Sequence, residues 1–230
     1  MFYLALFENV QDFFIKGGVF MAFLLAISFV AVTVILLRLI ALRRRAVIPV
    51  LIEKEIYKLK PGEVPEHLRH LIQDDTSPLS RIVEVAVRPY NATKQETLEV
   101  VQSRARQEIV RLESGLFILE IVVGIAPLLG LLGAVTGLVR VFSNIGSGVM
   151  STTDLKGIAS GIGEALSTTI VGLAIAIPAL VAFSYFSRRV ERLAVEMESL
   201  LTDLIEKNFH GARRQESYAS EAEPLEEAAR

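Results

Sequence analysis

Between Gly161 and Pro178 the chain sets one carboxylate and three consecutive hydroxyls into an otherwise apolar run: Glu164, Ser167, Thr168 and Thr169. A charged group at membrane depth costs about 2.5–3.5 kcal/mol even on the lenient insertion scale, so an ionisable residue there is a functional candidate by default. Thr168 falls on nearly the same helix face as Glu164, whereas Thr169 turns toward the side of Gly172 and Ala176. A lone threonine can satisfy itself on its own backbone carbonyl. Three hydroxyls beside a carboxylate suit a polar pore lining instead. The chemistry they offer is ion or proton passage.

A second block lies upstream, from Ala126 through Pro127, Gly130, Gly133, Ala134 and Thr136 to Gly137. In lipid no hydrophobic force draws helices together, so association depends on small residues, close contact and interhelical hydrogen bonds. Ala126-x-x-x-Gly130 and Gly133-x-x-x-Gly137 supply small residues here, and Ala165, Thr169, Gly172, Ala176 and Ala179 form a stripe on the downstream helix. Pro127 and Pro178 stand within the two helices as packing or kink positions. Two successive helices built this way predict a tightly packed assembly. The run between Gly17 and Leu37 is bulky and aliphatic, and is expected to face lipid.

Of the remaining charges near the apolar runs, Arg38 and Arg140 fit boundary residues reaching toward the interface, while Glu120 reads equally as a boundary residue paired with a base or as a functional acid. None of the three runs contains Asp or His. A proton relay needs a titratable group near mid-depth, and Glu164 lies too far outward to serve alone. If protons cross, a second protein must bring the acid.

Other chemistry is absent. There is no cysteine, and the net charge of −2 carries no basic patch interleaved with aromatics, which speaks against nucleic acid. His67 and His70 read as a solvated pair rather than metal ligands. No phosphate-binding glycine loop opens a helix, and no nucleophile–base pair is visible. The chain is expected to be no enzyme and to need no metal or cofactor.

The elements that must position these groups follow from charge segregation. Hydrophobic residues are 52% of the chain and charged residues 22%, so the charges must lie outside the runs 17–37, 121–139 and 165–187. Each run approaches or exceeds the ~20 residues that cross a bilayer core. The first run lacks a basic leader and is followed by Arg43, Arg44 and Arg45, so it reads as a retained span. Basic residues cluster at Arg38–Lys54, at Arg104, Arg106 and Arg111, and at Arg188, Arg189 and Arg192, while the last hairpin carries chiefly Lys156. The positive-inside rule then places the N-terminus outside and both hydrophilic parts in the cytoplasm.

The predicted fold is an all-α integral membrane protein with three transmembrane helices, the second and third extended into a cytoplasmic helical bundle. Its parts are an outer interfacial amphipathic helix at 1–16, spans at 17–42, 114–145 and 158–187, a cytoplasmic helical region at 43–113, an outer hairpin loop at 146–157, a cytoplasmic extension at 188–210 and a disordered tail at 211–230. The seam of Leu98, Val101, Ala105, Ile109 and Leu112 runs without a breaker into the second span. Leu193, Met197, Leu200 and Leu204 continue the third span until His210-Gly211 stops it.

At these residues the chain resembles the MotA/TolQ/ExbB proton-channel family, most closely its ExbB/TolQ branch. The resemblance rests on Gly17-Gly18 and Met21, on Ser28 and Arg38, on the Ala126–Gly137 block, and on Gly161-Ile162-Gly163-Glu164-Ala165-Leu166 through Thr169, Gly172-Leu173 and Ala176-Ile177-Pro178-Ala179. It implies a homopentamer in the bacterial inner membrane whose second and third spans line a pore. That pore would hold an ExbD/TolR-like single-span partner bearing a membrane Asp, and proton flow would drive work on a TonB- or TolA-like protein. By position Thr169 matches the family's pore threonine and Glu164 its acid. The usual Gly-Thr-Val of span two is here Gly133-Ala134-Val135. Thr136 does not replace the missing hydroxyl, because two residues along a helix turn the side chain by about 200°. A non-conducting scaffold of a membrane complex is the competing reading.

Overall fold

The computed structural model describes residues 18–61, 66–87, 93–146 and 155–227. Every regular element among them is a helix: α1 (Gly18–Ala41), α2 (Arg44–Val47), α3 (Val50–Lys58), α4 (Glu66–Gln73), α5 (Pro78–Ala86), α6 (Lys94–Glu113), α7 (Leu116–Gly146) and α8 (Leu155–Glu227). The predicted interfacial helix at 1–16 and most of the predicted hairpin at 146–157 lie outside the described residues. Three stretches are long and apolar enough to cross a membrane: Val19–Ala41, Leu116–Ser143 and part of Gly157–Phe209. The protein is an all-α membrane protein.

The chain divides into two compact units. The first holds α1, α7 and the apolar part of α8. Most of α1 is exposed and aliphatic, but Met21, Leu24, Ala31 and Val34 are buried. The span expected to face lipid thus keeps an exposed aliphatic surface and also presents one stripe inward. Met21 and Leu24 are three residues apart and Ala31 and Val34 repeat that spacing two turns on, so they form one inward stripe. Phe20 of that helix comes close to Gly133 of α7. The Arg38 guanidinium lies on Gly115, where any side chain would collide with it.

The second unit holds α2 to α6 and the polar part of α8. Pro78 opens α5 behind Ser77, whose hydroxyl accepts from Ser80 N–H at 3.2 Å while its own N–H donates to Asp75 at 2.6 Å. Thr93 and Glu96 form a capping box at the start of α6. On α8, Val190, Leu193, Met197, Leu200, Leu204 and Ile205 are buried. Three basic side chains tie α2, α3 and the α1–α2 link to this part of α8. Arg189 donates to the Leu42 carbonyl at 3.4 Å, and Lys207 to the Ile56 carbonyl at 3.1 Å. Arg44 pairs with Glu53 at 2.8 Å and with Glu196, and hydrogen bonds from these carboxylates raise its pKa above the ordinary arginine value.

Two expectations about helix ends fail. The α6 seam does not run unbroken into the span: a turn at Ser114 and Gly115 separates α6 from α7, and the Ser114 hydroxyl bonds back to Arg111 O at 2.8 Å. Nor does Gly211 stop α8, which continues to Glu227 through the stretch predicted as a disordered tail. One glycine inside a helix costs only about 1 kcal/mol relative to alanine, and the residues beyond it are rich in the good helix formers Ala, Glu and Arg.

Candidate functional site

The predicted chemistry gathers where α7 and α8 meet within the first unit. Small residues let the backbones touch. A Cβ built on Gly172 would lie 2.5 Å from the Ala126 carbonyl oxygen and 3.2 Å from Gly130 Cα. One built on Gly130 would lie 2.8 Å from the Thr168 carbonyl oxygen, and one on Gly133 2.9 Å from the Thr168 hydroxyl. Gly137 meets Ala165 in the same way at 3.0 Å, and Gly161 meets Val141. The contact climbs in register from Ala126 and Gly172 to Val141 and Gly161.

Two hydroxyls lace this contact. Thr168 Oγ1 donates within 3.1 Å of Gly130 O and 2.8 Å of Ala165 O, and Thr169 Oγ1 reaches the same Gly130 carbonyl at 3.2 Å. Thr168 is only 2% exposed, whereas Thr169 is half-buried. The centre of the α8 stripe is thus Thr168, with Thr169 on its edge, the reverse of the emphasis expected from the sequence. Thr168 sits between Ala165 and Gly172 at spacings of three and four, which turns it into the α7 contact.

The other candidates are more dispersed. Ser167 donates to Gly163 O at 2.8 Å, and Thr136 donates to Leu132 O and Gly133 O at 2.9 and 3.0 Å, so both bond back to their own helices. Thr136 is exposed, while Ala134 is 7% exposed. A methyl at 134 fits this sealed position, and Thr136 points elsewhere. Glu164 is half-buried on α8, and Glu120 and Arg140 are exposed on α7. Pro127 and Pro178 lie inside continuous helices. Each lacks the N–H that would bond the carbonyl four residues earlier, at Val123 and Ala174. Among the described residues no group of three His, Cys, Asp or Glu could hold a metal ion. His67, predicted as half of a solvated pair, is exposed and lies 3.2 Å from Glu55.

One ionic centre was not anticipated. Glu108 on α6 is fully buried in the second unit and is ringed by arginines. Arg81 of α5 grips one oxygen through Nε at 3.1 Å and Nη2 at 2.8 Å, while Arg111 and Arg104 approach the other at 2.8 and 3.4 Å. A signal was present in the sequence. Glu108 stands seven residues after Val101 and four before Leu112, so it occupies a seam position between two arginines at i−4 and i+3.

Against known proteins, the profile described as the MotA/TolQ/ExbB proton channel family matches residues 74–199. That segment runs from just before α5 into the polar part of α8, and so contains both the hairpin contact and the Glu108 centre. The chain is 34% identical over 182 residues to the ExbB-like 1 biopolymer transport protein of Synechocystis sp., covering 76% of this chain and 69% of that protein. It is 29% identical over 211 residues to ExbB-like 3 of the same organism, covering 89% and 98%. To the biopolymer transport protein ExbB of Neisseria gonorrhoeae it is 30% identical over 176 residues, covering 65% and 79%.

Proposed function

The chain belongs to the MotA/TolQ/ExbB proton channel family, and from that premise we propose that it is the pore-forming subunit of an inner-membrane, proton-driven motor. It assembles as a homo-oligomer, a pentamer by family likeness, with its N-terminus outside and its C-terminus in the cytoplasm. It encloses an ExbD/TolR-like single-span partner and passes mechanical work to a TonB- or TolA-like envelope protein. It is not an enzyme: it moves protons and transmits force.

The observation that carries this reading is the edge position of Thr169. Its hydroxyl is held on Gly130 O at 3.2 Å, yet the side chain is only half-buried. It can therefore face both the helix contact and a lumen. Glu164, half-buried and five residues outward along α8, supplies the one carboxylate of that helix's apolar part. A partner must contribute an acid at mid-depth, because α1, α7 and the apolar part of α8 contain no Asp or His. The scaffold reading draws on a specific fact too: Thr136, Ser167, Thr168 and Thr169 are all already hydrogen-bonded to carbonyls, and Ala134 is a methyl.

Proton flux separates the two. In vesicles containing the chain with its single-span partner, Thr169→Val is expected to lower flux at least about tenfold, equivalent to ~1.4 kcal/mol in barrier. Thr169→Ser should retain most of it. Flux unchanged in Thr169→Val overturns the pore assignment, and no flux in the unmodified complex favours the scaffold.

A further inference from the structure

In the second unit a cavity of about 380 Å³ opens between α6 and α8, floored by Val101, Ala105 and Ile109 on one side and Ala194, Val195 and Leu201 on the other. Val195 is 63% exposed there. The rim carries Gln102 and Arg106 on its α6 edge and, on its α8 edge, Glu191 and Glu198, two helical turns apart, neither of which forms an ion pair among the described residues. A solvent-facing apolar trough edged by unpaired carboxylates marks an interaction site.

The same unit exposes a face of complementary character. α3 buries Ile52 and Ile56 but turns Leu51 and Tyr57 outward, 68% and 61% exposed. Lys54 and Lys58 share that outer face; Lys58 approaches Glu55 only at 3.9 Å, and Lys54 forms no ion pair among the described residues. An apolar ridge with two lysines one turn apart matches an apolar trough with two glutamates two turns apart, the difference being within lysine side-chain reach.

We infer that this groove receives the outer face of α3 from a second copy of the chain. The inference rests on the homo-oligomer reading above and names the surfaces that build it. The chain cannot satisfy its own groove. α3 is held by Glu196, through Arg44, and by Lys207, while the groove lies on the side of Glu198. At 100° per residue Glu196 and Lys207 point about 160–180° away from Glu198. Ridge and groove are also level with each other. The groove spans residues 191–205 of α8, and α3 is anchored on that helix between 196 and 207. Two different surfaces at one height make a heterologous contact, which rotation without rise closes into a ring.

The chain contains no cysteine, so disulfide mapping is unambiguous. With Leu51→Cys and Val195→Cys together in the full-length protein in native membranes, oxidation should give a ladder of cross-linked multimers. Either substitution alone should give none. Charge reversal supplies an independent arm. Glu191→Lys with Glu198→Lys should weaken the oligomer about threefold to fivefold per pair, as exposed pairs do, measured by native mass spectrometry across dilution. Lys54→Glu with Lys58→Glu should restore it. If the oligomer forms but the double-cysteine chain stays uncross-linked and the reversals do not rescue one another, the groove inference is overturned while the oligomer reading stands. A chain that is monomeric at every concentration overturns both. Cross-linking of Val195→Cys to a different protein instead assigns the groove to that partner and also overturns the inference.

Discussion

Gly172 and Gly124 are both glycines in apolar helices, and the fold treats them oppositely. A Cβ on Gly172 would lie 2.5 Å from a backbone oxygen, which cannot swing aside, whereas nothing lies within 4 Å of one built on Gly124. Gly172→Ala is therefore expected to force α7 and α8 apart at a cost of about 1–3 kcal/mol. Gly124→Ala should be neutral or stabilise by roughly 0.5–1 kcal/mol, because alanine is the better helix former. Thermal unfolding of the two variants in detergent checks the difference. Small-residue spacing made these contacts legible in the sequence. Which hydroxyl sits at their centre was not, since Thr168 and Thr169 differ by only about 100° of rotation and the angular centre of a contact depends on the partner helix. Glu108 is hard to find for another reason: the arginines of α6 carry the topology signal, and the acid standing between them at an apolar seam position carries none. Its carboxylate is fully buried while Arg81 and Arg104 are about one-third exposed and Arg111 more than half. In Glu108→Gln the arginines can turn partly to water, so the expected loss is about 1–3 kcal/mol rather than the larger figure for two fully buried charges. Arg81→Ala, which removes the forked donor, should destabilise the second unit more than Arg111→Ala, as read by hydrogen exchange across α5 and α6.

At the scale of elements, hydropathy and helical periodicity located the apolar helices, because a 20-residue apolar run leaves the backbone few alternatives in lipid. Element ends were harder to read. The turn at Ser114 and Gly115 has no proline to announce it, and Gly211 resembles a stop signal that its helix-forming neighbours override. The start of α6 is better defined. Glu96 accepts the Thr93 N–H at 2.8 Å and the Thr93 hydroxyl at 3.0 Å, and these bonds lower its pKa from the ordinary 4.5. A carboxylate whose folded pKa is depressed stabilises the fold above its unfolded pKa, and that contribution is lost as pH falls through the folded value. Protection of the first-turn amides of α6 against hydrogen exchange should accordingly hold at neutral pH and decline below about pH 4.5. In Glu96→Gln the same amides should show weaker protection and no such decline.

For the whole molecule, the decisive property is a division of labour visible in composition. The apolar parts of α1, α7 and α8 contain hydroxyls, close-packed glycines and two carboxylates, Glu120 and Glu164, but no Asp or His. Hydroxyls can order water and accept or donate hydrogen bonds, yet they do not hold a transported proton near neutral pH, so a relay needs an acid near mid-depth. Glu164 stands near the N-terminal end of the apolar part of α8 and cannot span the remaining distance alone. The chain by itself in liposomes, with a potential of 100 mV imposed, should therefore pass protons no faster than protein-free vesicles, although each charge would gain about 2.3 kcal/mol in crossing. Adding a single-span partner with a membrane aspartate should open the path, and changing that aspartate to asparagine should close it. A pH-sensitive dye inside the vesicles reads all three conditions. Conduction by the chain alone, lost in Glu164→Gln, would mean that Glu164 suffices as the acid, and the partner's role would shrink from proton carrier to moving part.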